Sequence, residues 1–383
     1  MTSAWRRPMG SRDLSEEHRA STPLELLYDL CFVVAVSRAS SFLHHGISHG
    51  DPGRAVVSYV LVFFGIWWAW MNFTWFASAY DNDDALYRVL VFVQMAGVLL
   101  LAAGVPRAFE HRDFDVVLAG YLVMRAALST LWLRAAHHDS SRRGTDRRYA
   151  AGVSLCMIGW AAVGIVGWPV WAFVLMGAVE LVVPMWAEAV EPTTWHPEHI
   201  AERYGLFTII VLGETILSSS IAFQAVVDAR NVDLAAVLTA VGALLTVFAM
   251  WWIYFAKPAA PRLSNRVAFP WGYGHYVVLA AAAAVGTGVG VMVDRVTGRT
   301  HLSDVAAAAA FTVPVILFLL AVAFIQTLLY GVHRDRLGPL LIAVVLVAGA
   351  TFTGQPVLVT GLALAALVAA LVVLAERSAP VRE

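Results

Sequence analysis

Nine ionisable residues stand inside apolar stretches of this chain. They are Glu25, Asp29 and Arg38 in "LELLYDLCFVVAVSRAS", Arg125 and Glu180 further on, and His199, Glu202, Arg203 and Glu214 in "HIAERYGLFTIIVLGE". A charge at the centre of a membrane helix costs roughly 2.5–3.5 kcal/mol on insertion scales, so such residues belong in a bundle interior with partners. Carboxylates beside guanidinium and imidazole groups in low dielectric can hold an ion or pass a proton, because burial favours the neutral carboxyl. The same groups can also serve only to fix helix register, since interhelical polar contacts in membranes average about 0.6 kcal/mol. Their concentration in two stretches of sequence favours ion, proton or small-solute handling.

The elements that must position these groups are membrane helices. Of 383 residues, 60% are hydrophobic and 14% charged, against about 25% charged in an ordinary soluble protein. Apolar runs of bilayer-spanning length recur from Leu24 to Leu374, which predicts an all-α, polytopic helical membrane protein with about twelve transmembrane helices. The breaks Gly167-Trp168-Pro169 and Gly354-Gln355-Pro356 read either as span ends or as kinks, which leaves ten to twelve spans. A net charge of -1 provides no field for nucleic acid, and none is expected as a partner. Cys31 and Cys156 lie inside apolar runs and read as small core residues. The basic flank Arg6, Arg7, Arg12 and Arg19 precedes a first span with acidic residues and no A-x-A site, which reads as a retained helix rather than a cleaved signal. Arg134, Arg142, Arg143, Arg147, Arg148, Lys257, Arg262, Arg266, Arg334, Arg336, Arg377 and Arg382 fall on the same side as that flank. The positive-inside rule then puts both termini in the cytoplasm.

The second half echoes the first. "YDLCFVVAVSR" aligns without gaps on "YGLFTIIVLGE", and "GIWWAWMNF" parallels "AMWWIYFAK" six spans later. An even number of crossings makes this a parallel repeat about an axis along the membrane normal. The expected division is a cytoplasmic segment 1–21, a six-helix repeat 22–188, a second repeat 189–376 and a tail 377–383. Glu25 and Asp29, four apart, share a helix face, while Arg38 falls on the opposite one. His199, Arg203 and Glu214 share a stripe of the seventh span. The expected contacts are Arg203 with Glu25 and Asp29, and Arg38 with Glu214.

The remaining motifs have structural readings. "WHPEHIAER" gives His199 and Glu202 an i, i+3 spacing, but without H-E-x-x-H or a cysteine cluster it reads as a charged helix start, and no metal or cofactor is expected. "WWAWMNFTWF" reads as helix packing with an interfacial belt. "VGTGVGV" reads as small residues that let helices approach closely. The pairs His44-His45 and His137-His138 read as solvated span ends.

"PLELLYDLCFVVAVSRAS", "WWAWMNFTW" and "HIAERYGLFTIIVLGETIL", in this order over nearly the whole chain, resemble the signature runs of the bacterial low temperature requirement A (LtrA) family. The resemblance implies a multi-pass protein of the bacterial inner (plasma) membrane, linked to growth at low temperature, with Glu25, Asp29, Glu202, Arg203 and Glu214 as signature polar positions. Tyr28 and Arg38 depart from the family pattern, which usually has Phe and an uncharged polar residue there. The resemblance carries no reaction or substrate. The leading expectation is a transport protein whose polar site lies between spans one and seven. The alternatives are an intramembrane enzyme on a lipid-type substrate, with Glu202 and His199 as acid and base, or a non-catalytic scaffold in cold tolerance.

Overall fold

The computed structural model describes residues 5, 7–12, 19–80, 82–228, 234–332 and 334–377. Arg6, Arg230, Arg382 and the tail after Arg377 lie outside them, as do the side chains of Arg334 and Arg336. Among the described residues there are twelve α-helices and no strand. They are α1 (Pro23–His49), α2 (Pro52–Ala79), α3 (Ala85–His111), α4 (Asp115–His138), α5 (Arg143–Ile165), α6 (Val170–Glu188), α7 (Pro197–Asp228), α8 (Leu234–Phe255), α9 (Asn265–Val296), α10 (Asp304–Tyr330), α11 (Arg334–Ala350) and α12 (Pro356–Arg377). Eleven are long and apolar enough to cross a bilayer, and the apolar part of α11, Leu337–Ala350, is shorter. The chain is therefore a polytopic helical membrane protein.

Local chemistry sets the helix ends. Pro23, Pro52, Pro197 and Pro356 each open a helix, where the missing N–H costs nothing and the fixed φ suits the first turn. Asp84 caps α3 by accepting from the Tyr87 N–H at 2.8 Å, and Ser303 caps α10 through the Ala306 N–H, each satisfying a donor that the first turn leaves unpaired. Gly167 and Trp168 both adopt positive φ, +81° and +59°, so the break before Pro169 ends α5 rather than bending one long helix. A turn at Thr351–Gly354 likewise separates α11 from α12.

The helices form two compact units. One comprises the chain up to Ala39 together with Val57–Leu206, and the other comprises Ser40–Val56 and Phe207–Glu383. In the first, α3 packs on α4, α4 on α5 and α5 on α6; in the second, α9 packs on α10, and α8 and α11 on α12. Glycine makes several of these approaches close enough to matter. A Cβ on Gly120 of α4 would lie 2.5 Å from the Leu101 nitrogen of α3, and one on Gly288 of α9 would lie 2.5 Å from the Phe311 Cα of α10. The "VGTGVGV" run thus serves helix approach. Gly288→Val must push backbone apart, and a loss of about 1–3 kcal/mol is expected. Thermal unfolding in detergent reads it, and an unchanged midpoint would mean that α9 and α10 have slack.

Candidate functional site

The first unit buries a cluster of charge built from α1, α2 and α7. At the start of α1, Thr22 and Glu25 form a capping box: Glu25 Oε2 accepts from the Thr22 N–H at 2.8 Å and from its hydroxyl at 3.0 Å. The Glu25 N–H donates back to Thr22 Oγ1 at 3.3 Å, so one carboxylate oxygen is committed to the helix terminus. The other, Oε1, points to α7, 3.1 Å from His199 Nε2 and 3.8 Å from Arg203 Nη1.

One turn along α1, Asp29 Oδ1 accepts from Arg203 Nη2 at 2.5 Å and from the indole N–H of Trp70 at 2.7 Å. Tyr204, next on α7, accepts from the Trp75 indole at 3.0 Å and meets the Trp70 ring edge-on. Glu25, Tyr28, Asp29, His199 and Arg203 are at most 1% exposed. Tyr28 Oη, Asp29 Oδ2 and Arg203 Nε and Nη1 make no hydrogen bond to protein. A buried polar atom without a partner costs about 1–3 kcal/mol, so this cluster retains binding capacity that its own side chains do not use.

A second buried cluster in the same unit has the opposite character. Glu180 of α6 accepts from Trp68 at 2.7 Å, from Trp160 at 3.0 Å and from Arg125 at 3.2 Å. Arg125 also donates to Asn72 and to the Tyr121 hydroxyl and stands over the Tyr121 ring. Both carboxylate oxygens are used. The two clusters share α2, because Trp68 and Trp70 are two residues apart and project about 200° apart around the helix, one towards each carboxylate.

The structure thus brings Glu25, Asp29, His199 and Arg203 together, and separately Arg125 and Glu180. Arg38 is exposed; nine residues from Asp29 is about half a turn round the helix, which takes it off the buried face, so it does not belong with the interior charges. Glu202 is half-buried, with Oε2 accepting from the Ser21 N–H at 3.2 Å, while the His199 ring faces Glu25. Glu214 belongs to the second unit, 4% exposed, and accepts from Ser218 at 2.9 Å. His44 is not merely solvated: its Nε2 lies 2.7 Å from Asp294 in that unit.

Sequence reading passed over the tryptophans. The aromatic run was read as packing, yet two of its indole N–H groups bind the two central carboxylates. The signal was available in the pairing of buried acids with residues that carry a single N–H donor. The Thr22–Glu25 capping box was equally legible as T-x-x-E ahead of an apolar run.

At the helix ends of the first unit, Asp84 is 2% exposed and paired with Arg134. Burial pushes its carboxyl up, but hydrogen bonds from the Arg134 guanidinium and the N–H groups of Arg7 and Tyr87 outweigh this and hold it below the ordinary 3.8. A depressed folded pKa contributes stability that is complete above 3.8 and is lost as pH falls through the folded value. Asp84→Asn is expected to lower the thermal midpoint near neutral pH and to flatten its decline on acidification; parallel acid limbs in the two proteins would contradict this.

Comparison with known proteins gives two matches. The family described as "Bacterial low temperature requirement A protein (LtrA)" matches residues 20–375. A curated relative, "Uncharacterized protein RA0937" of Rhizobium meliloti (strain 1021), is 29% identical over 261 residues, 64% of this chain and 60% of that protein. The match therefore spans about three-fifths of the relative's length.

Proposed function

The chain belongs to the bacterial low temperature requirement A family, and we propose that it is a transport protein of the bacterial inner membrane that passes protons through the Glu25–Asp29–His199–Arg203 cluster. The observation that carries this reading is the unused hydrogen-bonding capacity of a wholly buried cluster that holds two carboxylates and an imidazole. Contacts of 2.5–3.8 Å among these groups suit a proton better than a bulkier solute.

Arg203 is placed to alternate. While Asp29 is ionised, the guanidinium holds it at 2.5 Å; when Asp29 takes a proton, the pair weakens and Glu25 Oε1 becomes the better partner. His199, against that same oxygen, is the group that can relay a proton to or from Glu25. The basic residues gathered at alternate loops support placing both termini in the cytoplasm, which puts this cluster near the cytoplasmic face.

Reconstitution tests the reading. Purified protein in liposomes is expected to dissipate an imposed pH gradient, read with an entrapped pH-sensitive dye. Glu25→Gln is the clean variant, because glutamine still completes the capping box while the titrating charge is lost. Its flux is expected to fall about a hundredfold, the lower range for a positioned proton-transfer group. Proton flux no greater than in protein-free liposomes sinks the proposal.

A further inference from the structure

We propose that the second unit carries a binding site for an anionic phospholipid, with an acyl chain in a groove of α8, α10, α11 and α12 and the headgroup on Lys257 and Arg262. The groove encloses about 170 Å³ and includes Trp252, Leu319, Val322, Gln326, Leu371 and Lys257 in its lining. Its floor is apolar and buried: Leu319 and Val322 are 0% and 1% exposed, while Trp252 is 48% exposed. A slot of this width and lining suits one hydrocarbon chain, each buried methylene of which contributes about 0.8 kcal/mol.

The mouth supplies the charge complement. Lys257 follows the last turn of α8 and is the only lysine of the chain. Its Nζ stands 4.3 Å over the Tyr330 ring, and the Arg262 guanidinium carbon stands 5.2 Å over the same ring. The Tyr330 hydroxyl donates to the Pro258 carbonyl and so fixes the ring against the loop. Two cations drawn to one aromatic ring repel each other, and an anion that joins them relieves that repulsion. Arg266, exposed at the start of α9, adds to the same field. Hydrocarbon slot and paired cations together match a lipid with a negative headgroup rather than a soluble anion or an apolar solute.

The single lysine makes the test selective. In nanodiscs of phosphatidylcholine with and without phosphatidylglycerol, acylation of Lys257 by an amine-reactive reagent is followed by peptide-resolved mass spectrometry. Phosphatidylglycerol is expected to slow the reaction about fivefold, the factor for one basic residue engaging anionic lipid. Leu371→Trp, which plugs the groove without touching the cations, is expected to restore the rate seen in phosphatidylcholine; Ala323→Leu, a smaller plug, replaces it if the tryptophan variant does not fold. Equal rates in the two lipids overturn the proposal. So does equal protection in a folded, plugged variant, because surface potential alone would then account for the slowing.

Discussion

Arg203→Ala is expected to destabilise the first unit by about 3–5 kcal/mol, the usual consequence of removing one partner from a buried ion pair. The mechanism is the charge left behind: Asp29, 0% exposed, would retain only the Trp70 indole. Equilibrium unfolding in detergent measures it. Arg203→Met combined with Asp29→Asn is expected to recover most of the loss, because an asparagine oxygen still accepts from Trp70 and the Asp29 charge is gone, while Glu25 keeps its contacts to Thr22 and His199. Proton flux should remain absent in this double variant. Recovered stability without flux separates a transport site from a helix lock, whereas recovery of both would assign the pair to assembly alone.

The second large effect concerns Arg125. Arg125→Ala leaves the buried Glu180 with two indole donors and no cation, and a loss of about 3–5 kcal/mol is again expected. Glu180→Gln should cost less, about 1–2 kcal/mol, since the amide oxygen can still accept from the tryptophans while one charge-assisted bond is lost. Flux per folded molecule is expected to survive Glu180→Gln. That outcome follows from pairing: both Glu180 oxygens accept from protein donors, whereas Asp29 Oδ2 accepts from none. Loss of flux in folded Glu180→Gln would extend the proton site to the second cluster.

The helices were legible because bilayer thickness imposes a length on each apolar run, and every one of the twelve spans read from sequence corresponds to a helix. Helix ends were less legible than helix middles. α1 runs on past Leu43 to His49, and α9 begins at Asn265, ahead of its most apolar stretch. Arg203 near Glu25 and Asp29 was readable from shared stripes and complementary charge. Arg38 shows why that logic has limits: charge and depth alone do not reveal which face of a helix is covered. Trp68 and Trp70 offered N–H donors to the buried acids, but which tryptophan meets which carboxylate was not readable for a related reason, because an aromatic run looks the same whether its N–H groups meet carboxylates or lipid headgroups. The helix approach at Gly288 was readable because only glycine spacing permits it.

The most direct test of the central claim is the protonation of the cluster itself. Infrared difference spectra of the reconstituted protein, recorded as pH is stepped and repeated in heavy water, report carboxyl groups that gain or lose a proton. A carboxyl band that titrates in the parent protein and disappears in Asp29→Asn or Glu25→Gln is the predicted result. The same titrating bands in the parent and in both variants, with all three proteins folded, would contradict it.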